Sequence, residues 1–170
     1  ANPPFSLDKW AMGFSNSTND DKEFKMEASL DPYRRFDWGV PPASKGDYAF
    51  VQHILYSLAE NGRAAVILPH GVLFRAASEL KIRKEIIKLN LLDAVIGLPE
   101  NLFFGTNIPA CIMVFRKNRT RKDVLFIDAK GEENFEKSKN QYKLREQDIQ
   151  RIVEVYEKYE AVEKFSYVAS

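Results

Sequence analysis

Short apolar runs separated by amphipathic stretches constrain the fold of this 170-residue chain more than any other feature. The runs RAAVILP at 63–69, LLDAVIGL at 91–98 and ACIMVF at 110–115 are almost continuously apolar, which is typical of strands buried on both faces of a sheet. Residues 124–127 predict a further short strand. The basic turn 117–122 joins the run at 110–115 to this strand, and it predicts that the two form a hairpin.

Apolar residues at helical intervals fill the segments between and after these runs. Ser44 and Asp47 have the spacing of a capping box and predict a helix that ends at the Asn-Gly pair 61–62. A second helix is expected from 73 to 90, and an amphipathic helix within 144–164. Helices that alternate with buried strands predict an α/β sheet with helices on both faces.

The segment 6–45 shows little periodicity and contains a polar run at 16–21. It also holds six aromatic residues, which is more than a disordered linker of that length usually has. We therefore expect a long ordered loop, or one ordered by a target or partner. An α/β core at 46–128 and a linker with a C-terminal helix at 129–170 complete the expected organisation.

Composition limits the possible functions. The 25 basic and 24 acidic residues leave a net charge of +1, so any nucleic-acid contact has to be local or shared with a partner. A single cysteine cannot form an internal disulfide, and with two distant histidines it leaves no metal-ligand cluster. No apolar run reaches the about 20 residues of a membrane span, and no signal segment opens the sequence, so we expect a cytoplasmic protein without membrane contact.

Glycine spacing bears on cofactor binding. An α/β sheet that binds a nucleotide normally begins with a strand, a glycine-rich turn and a helix. The eight glycines of this sequence never fall two apart, so no G-x-G turn is present. We therefore expect the chain to form the second half of a domain whose cofactor turn lies elsewhere.

The tetrapeptide Asn2-Pro3-Pro4-Phe5 has the composition of a stiff hydrogen-bond acceptor. Its prolines lack N–H groups and restrict the backbone, so the loop presents carbonyls and the Asn2 side-chain oxygen. Acceptors on Asn2 and Pro3 can stabilise the positive charge that develops on a ring-conjugated amine during methyl transfer. Phe5 offers a flat face for an extruded base, worth about 1–3 kcal/mol. A turn that only shapes the chain is the alternative.

The order and spacing of several segments resemble those of one family, the modification (methyltransferase) subunits of type I restriction-modification systems. The similarity covers nearly the whole chain. The segments that carry it are NPPF at 2–5, DYAF at 47–50, GRAAVILP at 62–69, GVLFR at 71–75, AVIGLP at 94–99, IPACI at 108–112, VLFIDA at 124–129 and IVE at 152–154.

The resemblance implies a Rossmann-like, class I S-adenosylmethionine-dependent methyltransferase fold, of which this chain is the second half of the sheet and a C-terminal helix. It implies methyl transfer from S-adenosylmethionine to the exocyclic 6-amino group of adenine in duplex DNA, with Asn2, Pro3, Pro4 and Phe5 as the catalytic loop. The partners it implies are duplex DNA and separate specificity and restriction subunits. The family's cofactor turn lies upstream of this loop, so we expect the 170 residues alone to be inactive.

The resemblance also suggests that the loop before the ACIMVF strand lies near the target-base pocket, with Phe103, Thr106 and Asn107 as candidate residues. Burial of Phe103 in the core is the alternative. Relatives often have Gly-Gly where this sequence has Ala76-Ala77, and often have glycine at the position of Asn107.

The basic turn supplies candidate phosphate contacts, because Lys and Arg contribute affinity that does not depend on base sequence. A solvated turn is the alternative. The candidate residues are Lys117, Arg119, Arg121 and Lys122.

Two other functions remain open from the sequence. A protein glutamine methyltransferase uses the same Asn-Pro-Pro-aromatic loop, although those enzymes typically have Tyr in the fourth position and lack the IPACI and FID segments. A non-catalytic module could instead bind DNA or dock on another subunit through the long aromatic loop or the terminal helix.

Overall fold

The computed structural model describes residues 1–12, 14, 26–139 and 141–170. Short 3-10 helices cover Ala28–Leu30, His70–Leu73 and Glu132–Asn134. The helices and strands follow the chain in the order α1 (Asp47–Ser57), β1 (Arg63–Pro69), α2 (Ser78–Lys88), β2 (Leu92–Gly97), β3 (Ala110–Arg116), β4 (Val124–Asp128), β5 (Glu136–Lys137), β6 (Tyr142–Lys143), α3 (Glu146–Lys158) and β7 (Ser166–Ala169).

The predicted apolar runs form the strands of one sheet, with the order β1-β3-β2-β4-β7. Every residue of β2 is buried, and β3 is buried except at Ile112 and its last residue, Arg116. The predicted α/β architecture is confirmed: β2 and β4 pair in parallel, and helices lie on the sheet. The two-residue strands β5 and β6 form a separate pair that the sequence pattern did not indicate.

The prediction that β3 and β4 form a hairpin is wrong. β3 lies between β1 and β2 and pairs antiparallel with both, whereas β4 lies on the far side of β2. The turn 117–122 therefore passes the end of β2 instead of joining neighbouring strands. A buried strand needs a partner on each edge for its backbone groups, and the sequence pattern does not say which strands those are.

All three helices differ in extent from their predictions. α1 ends at Ser57, before the Asn-Gly pair at 61–62, and its N-cap is Gly46 without a side-chain hydrogen bond, so the predicted capping box of Ser44 and Asp47 does not form. α2 begins at Ser78 rather than at 73, because a 3-10 helix and a turn follow β1 first. α3 lies within the predicted range 144–164, but the chain then forms β7, an edge strand that pairs antiparallel with β4.

The two faces of the sheet bury separate apolar clusters. α1 and α2 cover one face, where Leu55 and Ile82 belong to the same cluster as Phe115 of β3. α3 covers the other face, where Ile152 belongs to the same cluster as Leu125 of β4. This two-sided burial explains why the strands have no polar alternation.

The described parts of the segment 6–45 pack on α1. Ala11, Met26 and Phe36 are buried together with Ala49 of that helix. The indole N–H of Trp10 donates to the Pro42 carbonyl at 2.9 Å, which joins the two ends of the segment. The polar run 16–21 and Phe24 lie outside the described residues.

The turn before α2 contains an unusual backbone conformation at Ala77, with φ 55° and ψ −126°. Only glycine adopts this region readily, and a side chain there costs about 1–3 kcal/mol. A glycine at position 77 would adopt this conformation without that cost.

We predict that Ala77→Gly raises the free energy of unfolding by about 1 kcal/mol, because relief of this strain exceeds the about 0.5–1 kcal/mol that glycine costs in chain entropy. Chemical denaturation of the purified protein measures the change. Ala76→Gly is the matched control, since Ala76 does not have a positive φ, and it is expected to lower stability. Equal losses in both variants would contradict strain at Ala77.

Candidate active site at the carboxyl end of β1

The loop Asn2–Phe5 starts beside β1. The Ala1 nitrogen donates to the Ala65 carbonyl at 2.7 Å, and the Ile67 N–H donates to the Ala1 carbonyl at 3.0 Å. These two bonds have the pattern of parallel strand pairing. The residues after Ala1 therefore extend toward the carboxyl end of β1.

The loop presents its asparagine to solvent. Asn2 and Pro4 are exposed, whereas Pro3 and Phe5 are half-buried. Within the described part of the chain, the Asn2 side chain makes no hydrogen bond. Its amide oxygen is therefore open to an incoming donor, as an acceptor loop requires.

The structure brings the loop together with a second predicted site residue. The rings of Phe5 and Phe103 meet edge to face, with centroids 6.1 Å apart and planes at 74°. β3 is antiparallel to β1 and β2, so the 103–109 loop that precedes it lies at their carboxyl ends. Phe103 is half-buried and also packs against the α3-side cluster, as the core alternative for this residue expects, while its place in a target-base pocket stays a prediction.

The other two candidates in this loop differ from each other. The Thr106 hydroxyl accepts a hydrogen bond from the Ile108 N–H at 3.0 Å, which shapes the loop locally. Asn107 is exposed. The backbone of the loop is joined to the end of β1, because the His70 N–H donates to the Pro109 carbonyl at 2.9 Å.

Exposed apolar side chains at this end were not predicted. Phe104 is 92% exposed and Phe74 is 70% exposed. Phe74 follows the 3-10 helix after β1, and its ring meets the His70 ring edge to face at 6.3 Å. Two large aromatic rings are therefore accessible to solvent at the carboxyl ends of β1 and β2. The adjacent phenylalanines at 103 and 104 were the available signal in the sequence.

A buried charge cluster beneath the loop was also missed. The Asp47 carboxylate, at the start of α1, is 1% exposed and accepts from Arg75 Nη2 at 2.6 Å. Arg75 Nε lies 2.7 Å from Glu79 Oε2, and that carboxyl is also 1% exposed. Burial raises the pKa of Glu79, and Arg75 only partly opposes this. Its members lie in separate elements, so no sequence spacing indicated the whole cluster.

The basic turn lies at the opposite end of the sheet. It follows the carboxyl end of β3, an antiparallel strand, and a strand of this length spans about 20 Å. Lys117, Arg119, Arg121 and Lys122 therefore do not line the loop Asn2–Phe5.

The structure corrects the prediction that Arg119 contacts phosphate. Its side chain is 2% exposed, and Nε lies 2.8 Å from Asp93 Oδ1. Its guanidinium also donates to the carbonyls of Leu92 and Asp123 and, at 2.9 Å, to Asn90 Oδ1. All of these partners belong to the chain itself, so Arg119 joins strand ends instead of facing a phosphate.

The remaining basic residues of the turn are more open. Arg121 and Lys122 are exposed, and the guanidinium carbon of Arg121 lies 4.0 Å from the centre of the Tyr159 ring. Lys117 is half-buried and donates to the Leu58 carbonyl.

The residues at this site do not fit a nucleotide cofactor by themselves. They present carbonyls, an amide and aromatic rings, and the sequence contains no G-x-G turn whose N–H groups could hold phosphate or carboxylate. Among the described residues no three metal-binding side chains come together. The same residues include no helix with the length and apolarity of a membrane span.

Comparison with known proteins confirms the resemblance seen in the sequence. Residues 1–170 match the family model for N-6 DNA methylases. The chain is 38% identical over 157 residues to the type I restriction enzyme MpnII methylase subunit of Mycoplasma pneumoniae, a match that covers 92% of this chain and 26% of the relative. It is 35% identical over 176 residues to the MjaVII methylase subunit of Methanocaldococcus jannaschii, covering 99% of this chain and 28% of the relative.

A solved structure supports the fold. The type I restriction-modification methyltransferase subunit from Streptococcus thermophilus superimposes with a TM-score of 0.83 at 40% identity, over 99% of this chain and 33% of that one. The predicted class I methyltransferase fold is thereby confirmed. This chain spans about a quarter of the length of the curated relatives named here.

We predict that Arg119→Ala lowers the free energy of unfolding by about 3–5 kcal/mol, because it leaves the Asp93 carboxylate buried without its ion pair. Thermal and chemical unfolding measure the loss. Lys122→Ala, an exposed change in the same turn, is the control and should stay within about 0.5 kcal/mol. Equal free energies of unfolding in the two variants would show that the ion pair of Arg119 with Asp93 does not stabilise the fold.

Proposed function

Because the chain belongs to the N-6 DNA methylase family, we propose that the protein transfers a methyl group from S-adenosylmethionine to the 6-amino group of adenine in duplex DNA. The observation that carries the proposal is the exposed Asn2 at the carboxyl end of β1, with Phe5 and Phe103 in contact beside it. We further propose that the protein is the modification subunit of a type I restriction-modification system.

The loop acts on the amine of the target base. The Asn2 side-chain oxygen and the Pro3 carbonyl accept its two hydrogens, which draws electron density toward nitrogen and stabilises the charge that forms as nitrogen attacks. A strong base is not needed, because the proton leaves only after nitrogen has become cationic. S-adenosylmethionine supplies the methyl group, and its binding turn is not among the residues of this chain.

The aromatic residues hold the base outside the duplex. A target adenine has to be extruded before its amine can reach the loop, at a cost of a few kcal/mol in lost stacking and pairing. Phe5 and Phe103 offer ring faces that recover part of this cost, at about 1–3 kcal/mol for each stacked base. Thr106 and Asn107 then flank the pocket, and the exposed ring of Phe104 contacts the DNA around it.

The partners of the protein follow from the same proposal. The net charge of +1 provides little general attraction for DNA, so a separate specificity subunit reads the sequence and a restriction subunit cleaves. Exposed Arg121 and Lys122 remain candidate phosphate contacts, distant from the loop. The reaction takes place in the cytoplasm, where the chromosomal substrate lies.

We also propose a domain organisation that fits this division of labour. In it, 6–45 is the loop that contacts target or partner, 46–128 is the α/β core, and 129–170 comprises a linker and the C-terminal helix. The family match favours DNA adenine over a protein glutamine as acceptor. No contact in the described residues favours a purely docking role.

In the full-length protein assembled with its partner subunits, Asn2→Ala is expected to lower kcat for methylation by about 100-fold or more, because one of two charge-stabilising acceptors is lost. Transfer of labelled methyl groups to unmodified DNA measures this. Subunit assembly and cofactor affinity should stay unchanged. Asn61→Ala, in an exposed turn at the other end of β1, is the matched control. Full activity in Asn2→Ala would remove Asn2 from the mechanism.

The 170-residue chain by itself is expected to bind S-adenosylmethionine too weakly to detect by isothermal titration, since its eight glycines form no G-x-G turn. The full-length protein is the positive control. Micromolar binding by the 170 residues would show that the cofactor site lies within them.

A further inference from the structure

Two buried carboxyl groups and the half-buried guanidinium between them lie beneath the candidate catalytic loop, and the proposed chemistry does not use them. Asp47 and Glu79 are each 1% exposed, and Arg75 between them is 22% exposed. They come from the start of α1, from the turn after β1 and from α2. We call Asp47, Arg75 and Glu79 the buried triad.

The triad is joined to the loop through Ser6, the residue that follows Phe5. The Ser6 N–H donates to Asp47 Oδ1 at 2.8 Å, and its hydroxyl lies 3.3 Å from Oδ2. Ser6 has a φ of 48°, so the chain turns sharply at this point. The carboxylate of Asp47 therefore fixes both the position and the direction in which the chain leaves the loop.

A close backbone approach reinforces this link. The Gly46 N–H donates to the Leu7 carbonyl at 3.0 Å. A Cβ at Gly46 would lie only 2.9 Å from Cβ of Trp10. Glycine is needed here so that the segment after the loop can lie against the start of α1.

Hydrogen bonds also hold the backbone of the turn that carries Arg75. Arg83 of α2 donates to the Arg75 carbonyl at 2.6 Å and to the Val72 carbonyl at 2.9 Å. The hydroxyl of Tyr48, buried against the same turn, also donates to Val72 at 2.9 Å. Arg83 and Tyr48 are thus titratable side chains near the triad, and so is Cys111 of β3, whose pKa is raised by burial and by the charge of Asp47.

Stability does not account for such a cluster. Burying ions is costly, and well-packed apolar residues of similar volume often stabilise a fold as much or more. Two carboxyl groups facing one guanidinium are a particularly poor choice for stability. What this cluster supplies instead is direction, because the Asp47 carboxylate accepts from Arg75 on one side and from Ser6 on the other.

We propose that Asp47, held by Arg75, is a positioning residue that aims the Asn2–Phe5 loop at the amine of the target base. This inference rests on the proposed methyl transfer. Asp47 acts through Ser6 and does not touch the substrate. Misplacement of reacting groups by about 1 Å can cost about 100-fold in rate, so a loosened Ser6 slows the chemical step and leaves binding intact.

The test uses Asp47→Asn in the full-length protein assembled with its partner subunits. The variant is isosteric but removes the charge that Arg75 binds. We expect kcat to fall by about 10-fold or more, with the KM values for DNA and S-adenosylmethionine and the cofactor Kd within about 2-fold of wild type. Glu60→Gln is the matched control, because Glu60 is an exposed carboxylate in the turn before β1, outside the loop Asn2–Phe5 and outside the segment 6–45.

Arg75→Lys is the second variant. It keeps the positive charge but loses the planar guanidinium that reaches both carboxyl groups. Its kcat should lie between those of wild type and Asp47→Asn, and a kcat below that of wild type supports the proposal even if Asp47→Asn does not fold. An unchanged kcat in both folded variants would overturn the positioning role, as would a loss confined to KM. Absence of methylation by the wild type would instead overturn the proposed function.

Discussion

The insertion of β3 between β1 and β2 is the pairing on which the candidate site depends. Because β3 runs antiparallel to both neighbours, its first residues lie where β1 and β2 end. That arrangement places the loop 103–109 beside the loop Asn2–Phe5, although about 100 residues separate them in the sequence. A simple hairpin in the predicted position would have separated Phe103 from Phe5.

The sequence was sufficient for the parts of the fold that depend on local pattern. The runs at 63–69, 91–98 and 110–115 became strands because burial on both faces leaves no polar position in them. The Asn-Pro-Pro-Phe loop could be predicted as a candidate site from the sequence because the proposed chemistry is contained in four adjacent residues.

The rest could not be predicted, because it depends on contacts between distant segments. Strand order is one such feature. The burial of Arg119 is another, since a basic residue in a basic turn has no local sign that Asp93 lies beside it. The link from Ser6 to Asp47 joins residues 41 apart in the sequence, and neither has an unusual neighbourhood by itself. In each case the deciding partner is remote.

At the end of the sheet opposite the candidate site, side chains around Asp93 attach α3 to β2. The Tyr156 hydroxyl donates to Asp93 Oδ2 at 2.6 Å, and the Tyr159 hydroxyl donates to the Asp93 carbonyl at 2.9 Å. Arg119 binds the same carboxylate from the other side. These hydrogen bonds attach α3 to the first residues of β2. The other end of β2 leads toward the loop 103–109. The same strand therefore holds α3 at its first residues and leads toward the candidate site at its last, so the side chains around Asp93 set the position of α3 relative to that site.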